Sequence, residues 1–427
     1  MLRKVELRSS ARIIHFREVL FLQSVSLDSE KTAGLRRGQE PKTILTKEGK
    51  PMVAYKVIDG DGHVTEPPHL LEYVEEAYRH LAPRVVKDED GYERFAFEGK
   101  LMSLAHRPPI SLGAFLRPAD LWDPEARQRS YADAHPGGWD PHVRIKDMDQ
   151  EGIDVAVLYP GFWYPTSSST NDAKLAAALC RAYNNWLADY CKPYPERLYG
   201  MAILPMQDIT AAIREMRRVA KELGMKGVVI RPSPHPATGA NLHDPAFVPF
   251  WAEAQDLGIT VALHEAAVGD RPTGGLDRFH NLFFGHLLIH PIEQQLGSLA
   301  MICGGVLEQF PRLRTVFLEA GGGWITYWLE RMDRDYHQLG FLVPELKRKP
   351  SEYFARQCWI CFEPDEKTMG MAAQLVGEER IIWASDYPHF DAETGCVAAI
   401  TGRTDLSESA KRKILGENAA RLYNLPY

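Results

Sequence analysis

Residues 56–63 read Lys-Val-Ile-Asp-Gly-Asp-Gly-His. Val57 and Ile58 favour an extended backbone, and the apolar run then stops at Asp61, Gly62 and His63. Residues two apart on a strand point to the same side, so Asp61 and His63 can aim into one space and grip one ion. A strand-end turn would also accept an Asp and a His. The other strands decide between these readings.

Working outward from this run, short and nearly continuous apolar stretches recur along the chain. With Lys56–Asp61 as the first, the candidate strands are Val155–Tyr159, Tyr199–Leu204, Gly227–Arg231, Thr260–His264, Thr315–Glu319, Gln357–Phe362 and Ile381–Ser385. Runs of this kind belong to strands buried on both faces, as in a parallel sheet. Between them lie segments with apolar residues at helical spacing: Asn171–Cys191, Ile209–Leu223, Pro245–Leu257, Pro291–Phe310, Trp324–Leu339, Glu366–Leu375 and Glu408–Leu422. Pro245 and Pro291 suit first-turn positions. Eight strands alternating with helices predict an α/β fold, a closed (β/α)8 TIM barrel. No G-x-G-x-x-G follows the first strand, which removes the main support for a dinucleotide fold.

Two long connections interrupt the alternation. Residues 64–150 hold Pro108, Pro109, Phe115, Trp122 and Trp139 and read as an insertion over the barrel mouth; residues 266–290 read as a second long loop. Residues 1–51 differ again, mixing Arg3, Lys4, Arg8, Arg12 and Arg17 with Glu6, Glu18, Asp28 and Glu30. The acids argue against a transit peptide, and no apolar core marks a secretory signal. A disordered extension, or an upstream start codon chosen in error, is expected there. The metal-dependent domain is expected over 52–427.

Composition narrows the partners. Of 427 residues, 45% are hydrophobic and 25% charged, with a net charge of −7 and no basic stripe, so nucleic acid is not the expected partner. No apolar run reaches membrane-spanning length. Six thinly spread cysteines fit a reducing, cytoplasmic setting rather than a disulfide framework. Cys358-Trp-Ile-Cys361 has the spacing of a redox or metal pair but sits inside a candidate strand, where coincidence explains it.

In a parallel barrel the carboxyl ends of the strands form the active-site face, so polar residues that end apolar strands carry the information. The first strand gives Asp61 and His63 with Glu66 behind. The fifth gives His264-Glu265, the sixth Glu319-Ala-Gly-Gly-Gly, and the eighth Ser385-Asp386-Tyr-Pro-His389. Imidazole nitrogens mixed with carboxylate oxygens suit Zn²⁺ or Mn²⁺ better than Ca²⁺. Asp61, His63, His264 and Asp386 are therefore candidate ligands of one divalent ion.

These residues also carry a resemblance. Ile58-Asp-Gly-Asp-Gly-His63-Val-Thr-Glu66-Pro67, Met148-Asp-Gln-Glu-Gly-Ile-Asp154, Leu318-Glu-Ala-Gly-Gly-Gly-Trp324 and Trp383-Ala-Ser-Asp-Tyr-Pro-His389 resemble the amidohydrolase-related (amidohydrolase 2) family. That family includes aminocarboxymuconate-semialdehyde and resorcylate-type decarboxylases. The resemblance spans roughly Lys56 to Leu422 and implies a metal site on Asp61, His63, His264 and Asp386. Asp61 stands where the semialdehyde decarboxylases have His and the resorcylate-type enzymes Glu. Glu319-Ala320 stands where the decarboxylases have a catalytic His. Glu319 is then a ligand or an acid/base, or His290 or His389 supplies the imidazole.

Each candidate has a plainer reading. His264 alone would be a satisfied core histidine, and Asp386 could cap the following helix. Glu319 could be a buried acid with a structural partner. Glycines 321–323 suit a tight turn more than a phosphate cradle. His290 reads as a helix cap that touches substrate, and His280 and His286 as loop residues. Glu66 either orients a ligand histidine or serves a helix start. Arg231 is a substrate-carboxylate clamp or a structural ion pair, and Trp324 is a candidate substrate contact. Together the residues predict a metal-dependent decarboxylase acting on a small aromatic or dienoic carboxylic acid. The alternative is a hydrolase of a C–C, amide or ester bond, with an ion-activated water and Asp386 as base. Exposed apolar helix faces would also suit a homodimer.

Overall fold

The computed structural model describes residues 55–427 apart from 90, 92, 102–134, 234, 267–273, 276–277, 280–281, 390–391 and 393. The expected extension at 1–51 lies outside the described residues. Among those described, β1 (Ile58–His63) is followed by β2 (Arg84–Lys87), β3 (Glu93–Phe97) and β4 (Lys100–Leu101). Next come β5 (Val155–Tyr159), β6 (Leu198–Ile203), β7 (Gly227–Ile230) and β8 (Thr260–Leu263). The chain ends with β9 (Arg314–Phe317), β10 (Cys358–Phe362) and β11 (Ile381–Trp383).

β1 and β5–β11 form one eight-stranded sheet in chain order, and every pairing in it is parallel. Chain just past β11 returns to the end of β1, where His63 N donates to Tyr387 O at 2.7 Å and Asp386 N to Asp61 O at 3.2 Å. The sheet thus closes on itself, and the expected (β/α)8 barrel is the fold. All eight candidate strands are present with ends shifted by two residues at most. Their side chains are buried on both faces, as a helix-jacketed parallel sheet requires.

Helices fill the crossovers for local reasons. Asp172 caps Ala173–Cys191 by accepting from Lys174 N and Leu175 N, and Asp208 caps Ile209–Lys221 through Thr210 N and Ala211 N. In the second of these, Ala211, Ala212, Glu215, Met216 and Val219 form the inward face. The segment 64–150 is more structured than its proline content implies. It carries the antiparallel β2–β3–β4 sheet, and its last part, Pro141–Glu151, is the helix joining β1 to β5. That helix has Asp140 as its N-cap and left-handed Gly152 as its C-cap, and turns in only Arg144, Ile145 and Met148, a stripe too sparse for periodicity to reveal. Residues 102–134, including Pro108, Pro109, Phe115 and Trp122, lie outside the described residues.

The helix expected from Pro291 instead spans Leu282–Ile302, with Pro291 inside it. His290 is therefore mid-helix and not a cap, and the loop after β8 is shorter than 266–290. The sequence misleads here because a proline usually opens a helix; inside one it removes a single N–H bond, which an apolar run packed on a barrel can tolerate. His286 lies in this helix, while His280 lies outside the described residues. Cys358 and Cys361 are buried, unlinked thiols of β10; three residues apart on a strand, they face opposite sides. No helix among the described residues is long and apolar enough to cross a membrane.

Candidate metal centre

Four strand ends meet around His63 and Glu319. β1 supplies Asp61 and His63, the end of β8 His264, the end of β9 Glu319, and the turn after β11 Asp386 and His389. One ligand atom each from Asp61, His63, His264 and Glu319 lie within 4.8 Å of one another, as do atoms of His63, Glu319, Asp386 and His389. His63 Nε2 is 3.6 Å from Asp61 Oδ1, 3.3 Å from Glu319 Oε2 and 3.5 Å from Asp386 Oδ1. His264 Nε2 is 3.0 Å from Glu319 Oε2 and 3.9 Å from Asp61 Oδ1. Neighbouring donors around an ion with bonds of about 2.1 Å stand roughly 3 Å apart, so the spacing suits one small cation.

Proton placement strengthens the fit. His63 Nδ1 faces Pro160 O at 3.0 Å and His264 Nδ1 faces Glu265 O at 2.8 Å. A carbonyl only accepts, so each Nδ1 carries the ring proton, and in a neutral ring Nε2 is a bare lone pair aimed at carboxylate oxygens. His63 Nε2, His264 Nε2 and Asp61 Oδ1 are buried and make no hydrogen bond among the described residues. Converging lone pairs repel, and a positive charge between them removes the repulsion.

Electrostatics point the same way. Burial pushes Asp61 well above the usual carboxylate range, and burial with His389 alongside pushes His63 down to about 3. Burial also disfavours the charged ring of His264, yet Glu319 and Asp61 outweigh it and lift this imidazole to about 9. Burial likewise opposes the Glu319 anion, but His264 and His63 overcome it and hold that carboxyl well below its usual range. Without an ion, a proton on His264 supplies the positive charge this cluster demands.

Both carboxylates that follow a strand sit in left-handed backbone, Glu319 at φ 54° and Asp386 at φ 53°. Non-glycine residues there cost about 1–3 kcal/mol, which marks sites where the direction of a side chain outweighs backbone comfort. Asp386 caps nothing, since the next helix among the described residues starts at Cys396. Its Oδ1 lies 2.7 Å from His389 Nδ1, and the same nitrogen lies 3.7 Å from Glu319 Oε1.

Several supporting residues gave no signal in the sequence. Asp59 is fully buried and accepts from Ser385 Oγ at 2.6 Å, Ser385 N at 3.1 Å and Asp61 N at 3.2 Å, pinning both strand ends that carry Asp61 and Asp386. Arg144 donates to His63 O at 2.8 Å. Gly62 is required between them, because a Cβ there would stand 2.6 Å from both Arg144 Nη2 and Asp59 Oδ2. Gln294 Nε2 donates to Leu263 O at 2.6 Å and Leu318 O at 2.8 Å, the carbonyls just before His264 and Glu319. Glu66 takes Gly161 N at 2.8 Å and Phe162 N at 2.9 Å, fixing the loop whose Pro160 carbonyl holds His63. It orients that histidine through backbone rather than by touching its ring.

The other candidates are placed as follows. The Arg231 guanidinium lies on the Glu265 carboxylate and reaches Ala266 O at 3.2 Å, so it sits in an ion pair. Gly322 N and Gly323 N donate to Glu366, which satisfies the start of the Trp324–Leu339 helix without a phosphate. Trp324 Nε1 donates to Gly321 O at 2.9 Å, and its ring meets Phe317 edge-on. His290 is buried beside His286, with centroids 5.0 Å apart, and its Nδ1 has no partner among the described residues.

A family model described as amidohydrolase matches residues 58–425, nearly the whole described chain. The chain belongs to the amidohydrolase family. Among curated relatives, this amidohydrolase is similar to the 2-amino-3-carboxymuconate-6-semialdehyde decarboxylase of Dictyostelium discoideum. They are 28% identical over 67% of this chain and 77% of that protein. It is also similar to the gamma-resorcylate decarboxylase of Rhodococcus jostii (strain RHA1), 29% identical over 66% of this chain and 87% of the relative. Among solved structures it is similar to the 5-carboxyvanillate decarboxylase of Sphingomonas paucimobilis, with a TM-score of 0.64 and 25% identity. That match covers 87% of this amidohydrolase and all of that chain (100%).

Proposed function

We propose that this amidohydrolase is a metal-dependent carboxy-lyase that removes CO₂ from a small aromatic or dienoic carboxylic acid. The carrying observation is that two ligand groups, Asp61, His63, His264 and Glu319 and then His63, Glu319, Asp386 and His389, share His63 and Glu319, with the His389 imidazole 2.7 Å from Asp386. Both curated relatives described above are decarboxylases of carboxylated small molecules. The four residues are assigned as ligands of one divalent ion, Zn²⁺ or Mn²⁺. When bound, the ion would supply the positive charge that holds the substrate carboxylate and offsets charge as the C–C bond breaks.

The protein's own task is the proton. The Asp386 carboxylate, 2.7 Å from His389 Nδ1, favours the protonated ring, whose Nε2 is assigned to deliver a proton to the carbon losing CO₂. The substrate anion gains that proton at carbon and loses CO₂, and His389 recovers a proton from solvent. His389 thus fills the role of the imidazole absent at Glu319. His290 and Trp324 are assigned to the substrate wall, and the Arg231–Glu265 pair braces it.

The thinly spread, unlinked cysteines support a cytoplasmic setting, and a net charge of −7 supports a small-molecule partner rather than nucleic acid. Phe283, Leu287, Leu296 and Leu299 leave an apolar outer face on the Leu282–Ile302 helix, which supports a homodimer that light scattering would detect.

The test is an assay of the pure, ion-replete protein on hydroxybenzoates and ring-cleavage acids, following CO₂ release and ¹⁸O uptake from water. CO₂ release without ¹⁸O in the organic product, lowered about 10²-fold or more by His389→Gln, is expected. Hydrolytic ¹⁸O uptake with no CO₂ from any acid would replace the lyase with the hydrolase.

A further inference from the structure

We propose that Glu319 is itself a ligand of the ion, a third carboxylate beside two imidazoles, and that Mn²⁺ binding depends on it more than Zn²⁺ binding does. The inference rests on the metal-site reading above.

Glu319 Oε2 stands 3.0 Å from His264 Nε2 and 3.3 Å from His63 Nε2. Both imidazoles carry their ring proton on Nδ1, held by backbone carbonyls. His63, held neutral, has no Nε2 proton to give, so its 3.3 Å approach is not a hydrogen bond, and the position that a proton on His264 Nε2 takes without an ion is the one a shared cation would fill. The arrangement is that of donors around a shared cation. The geometry at Glu319 also looks built for this purpose: the residue sits at φ 54° at the end of β9, and Gln294 fixes the carbonyl just before it. The tight turn behind it fixes its direction, because a Cβ on Gly322 would come within 2.1 Å of the Phe362 ring.

The donor count sets the metal. Catalytic zinc commonly takes three protein ligands and leaves a fourth position open. Asp61, His63, His264, Glu319 and Asp386 offer five, three of them hard carboxylate oxygens. That set suits a six-coordinate ion such as Mn²⁺ and leaves one open position for substrate. It also explains how the barrel functions without an imidazole at this strand end: Glu319 joins the ion, and proton transfer passes to His389, whose Nδ1 stands 3.7 Å from Glu319 Oε1.

The experiment is competition of full-length, ion-free protein against a calibrated chelator for Mn²⁺ and for Zn²⁺, in wild type, Glu319→Gln and Glu319→Ala. Glu319→Gln is expected to weaken Mn²⁺ binding at least tenfold and Zn²⁺ binding less. In Glu319→Ala, water-proton relaxation by bound Mn²⁺ should rise, because the vacated position takes a water. Unchanged Mn²⁺ affinity in Glu319→Gln, with unchanged relaxation in Glu319→Ala, would overturn the inference while leaving the four-ligand site intact. Wild type that binds neither ion would instead sink the metal-site reading. If Glu319→Gln melts early without ion, Glu319→Asp keeps the charge but withdraws the oxygen; weakened Mn²⁺ binding there supports the ligand and full affinity refutes it.

Discussion

Glu66 puts a buried carboxyl behind the loop that holds His63, and burial pushes it up to about 7. The folded chain therefore holds a proton that the unfolded chain releases near pH 4.5, so stability falls as pH rises between those values. The shift corresponds to ~3 kcal/mol at most. Melting temperature against pH should decline between pH 5 and 7.5 in wild type and be flatter in Glu66→Gln; parallel profiles would deny Glu66 this role. At this scale the sequence was most informative where a polar side chain ended an apolar run. Asp61, His63, His264 and Asp386 stood out for that reason; in the structure Asp61 and His264 cluster with His63 and Glu319, and Asp386 clusters with the same His63 and Glu319 beside His389. Asp59, Arg144 and Gln294 could not stand out, because their meaning lies in partners far along the chain: Asp59 meets Ser385 326 residues away. Glu319 was visible, but no spacing rule says whether a strand-end carboxylate meets a cation or a structural partner.

Among the elements, β8 and β9 show how a scaffold holds two donors in register. Leu318 N donates to Leu263 O at 3.2 Å, and Gln294 bridges the carbonyls of the same two residues. Replacing Gln294 with Leu keeps the bulk but leaves two buried carbonyls without this donor, at a cost of about 1–3 kcal/mol. Because those carbonyls precede His264 and Glu319, Mn²⁺ affinity should fall about tenfold or more alongside stability. A loss of melting temperature with full affinity would make Gln294 structural only. Strands were legible as elements because burial on both faces writes a continuous apolar word. Helices were legible where one face is apolar, as in Trp324–Leu339. Among those that escaped are the short β2–β3–β4 strands and the helix Pro350–Gln357, as well as Pro141–Glu151, whose inward stripe is sparse, and the first turns of Leu282–Ile302, where Pro291 mimics a helix start.

For the whole molecule, closure of the sheet brings β1 beside β11 and so unites ligands far apart in sequence. Barrel class was legible from the count and alternation of elements; closure itself depends on contacts such as His63 N to Tyr387 O, which no local pattern encodes. The account's central claim is that side chains from β1, β8 and the turn after β11 hold a single divalent ion. Elemental analysis of the purified chain tests this most directly, comparing wild type with Asp61→Ala, His264→Ala and Asp386→Ala variants that still fold. The account predicts about one Mn²⁺ or Zn²⁺ per chain in wild type and marked loss in each variant. A full equivalent retained by the His264 and Asp386 variants, or no ion in wild type after reconstitution, would contradict it.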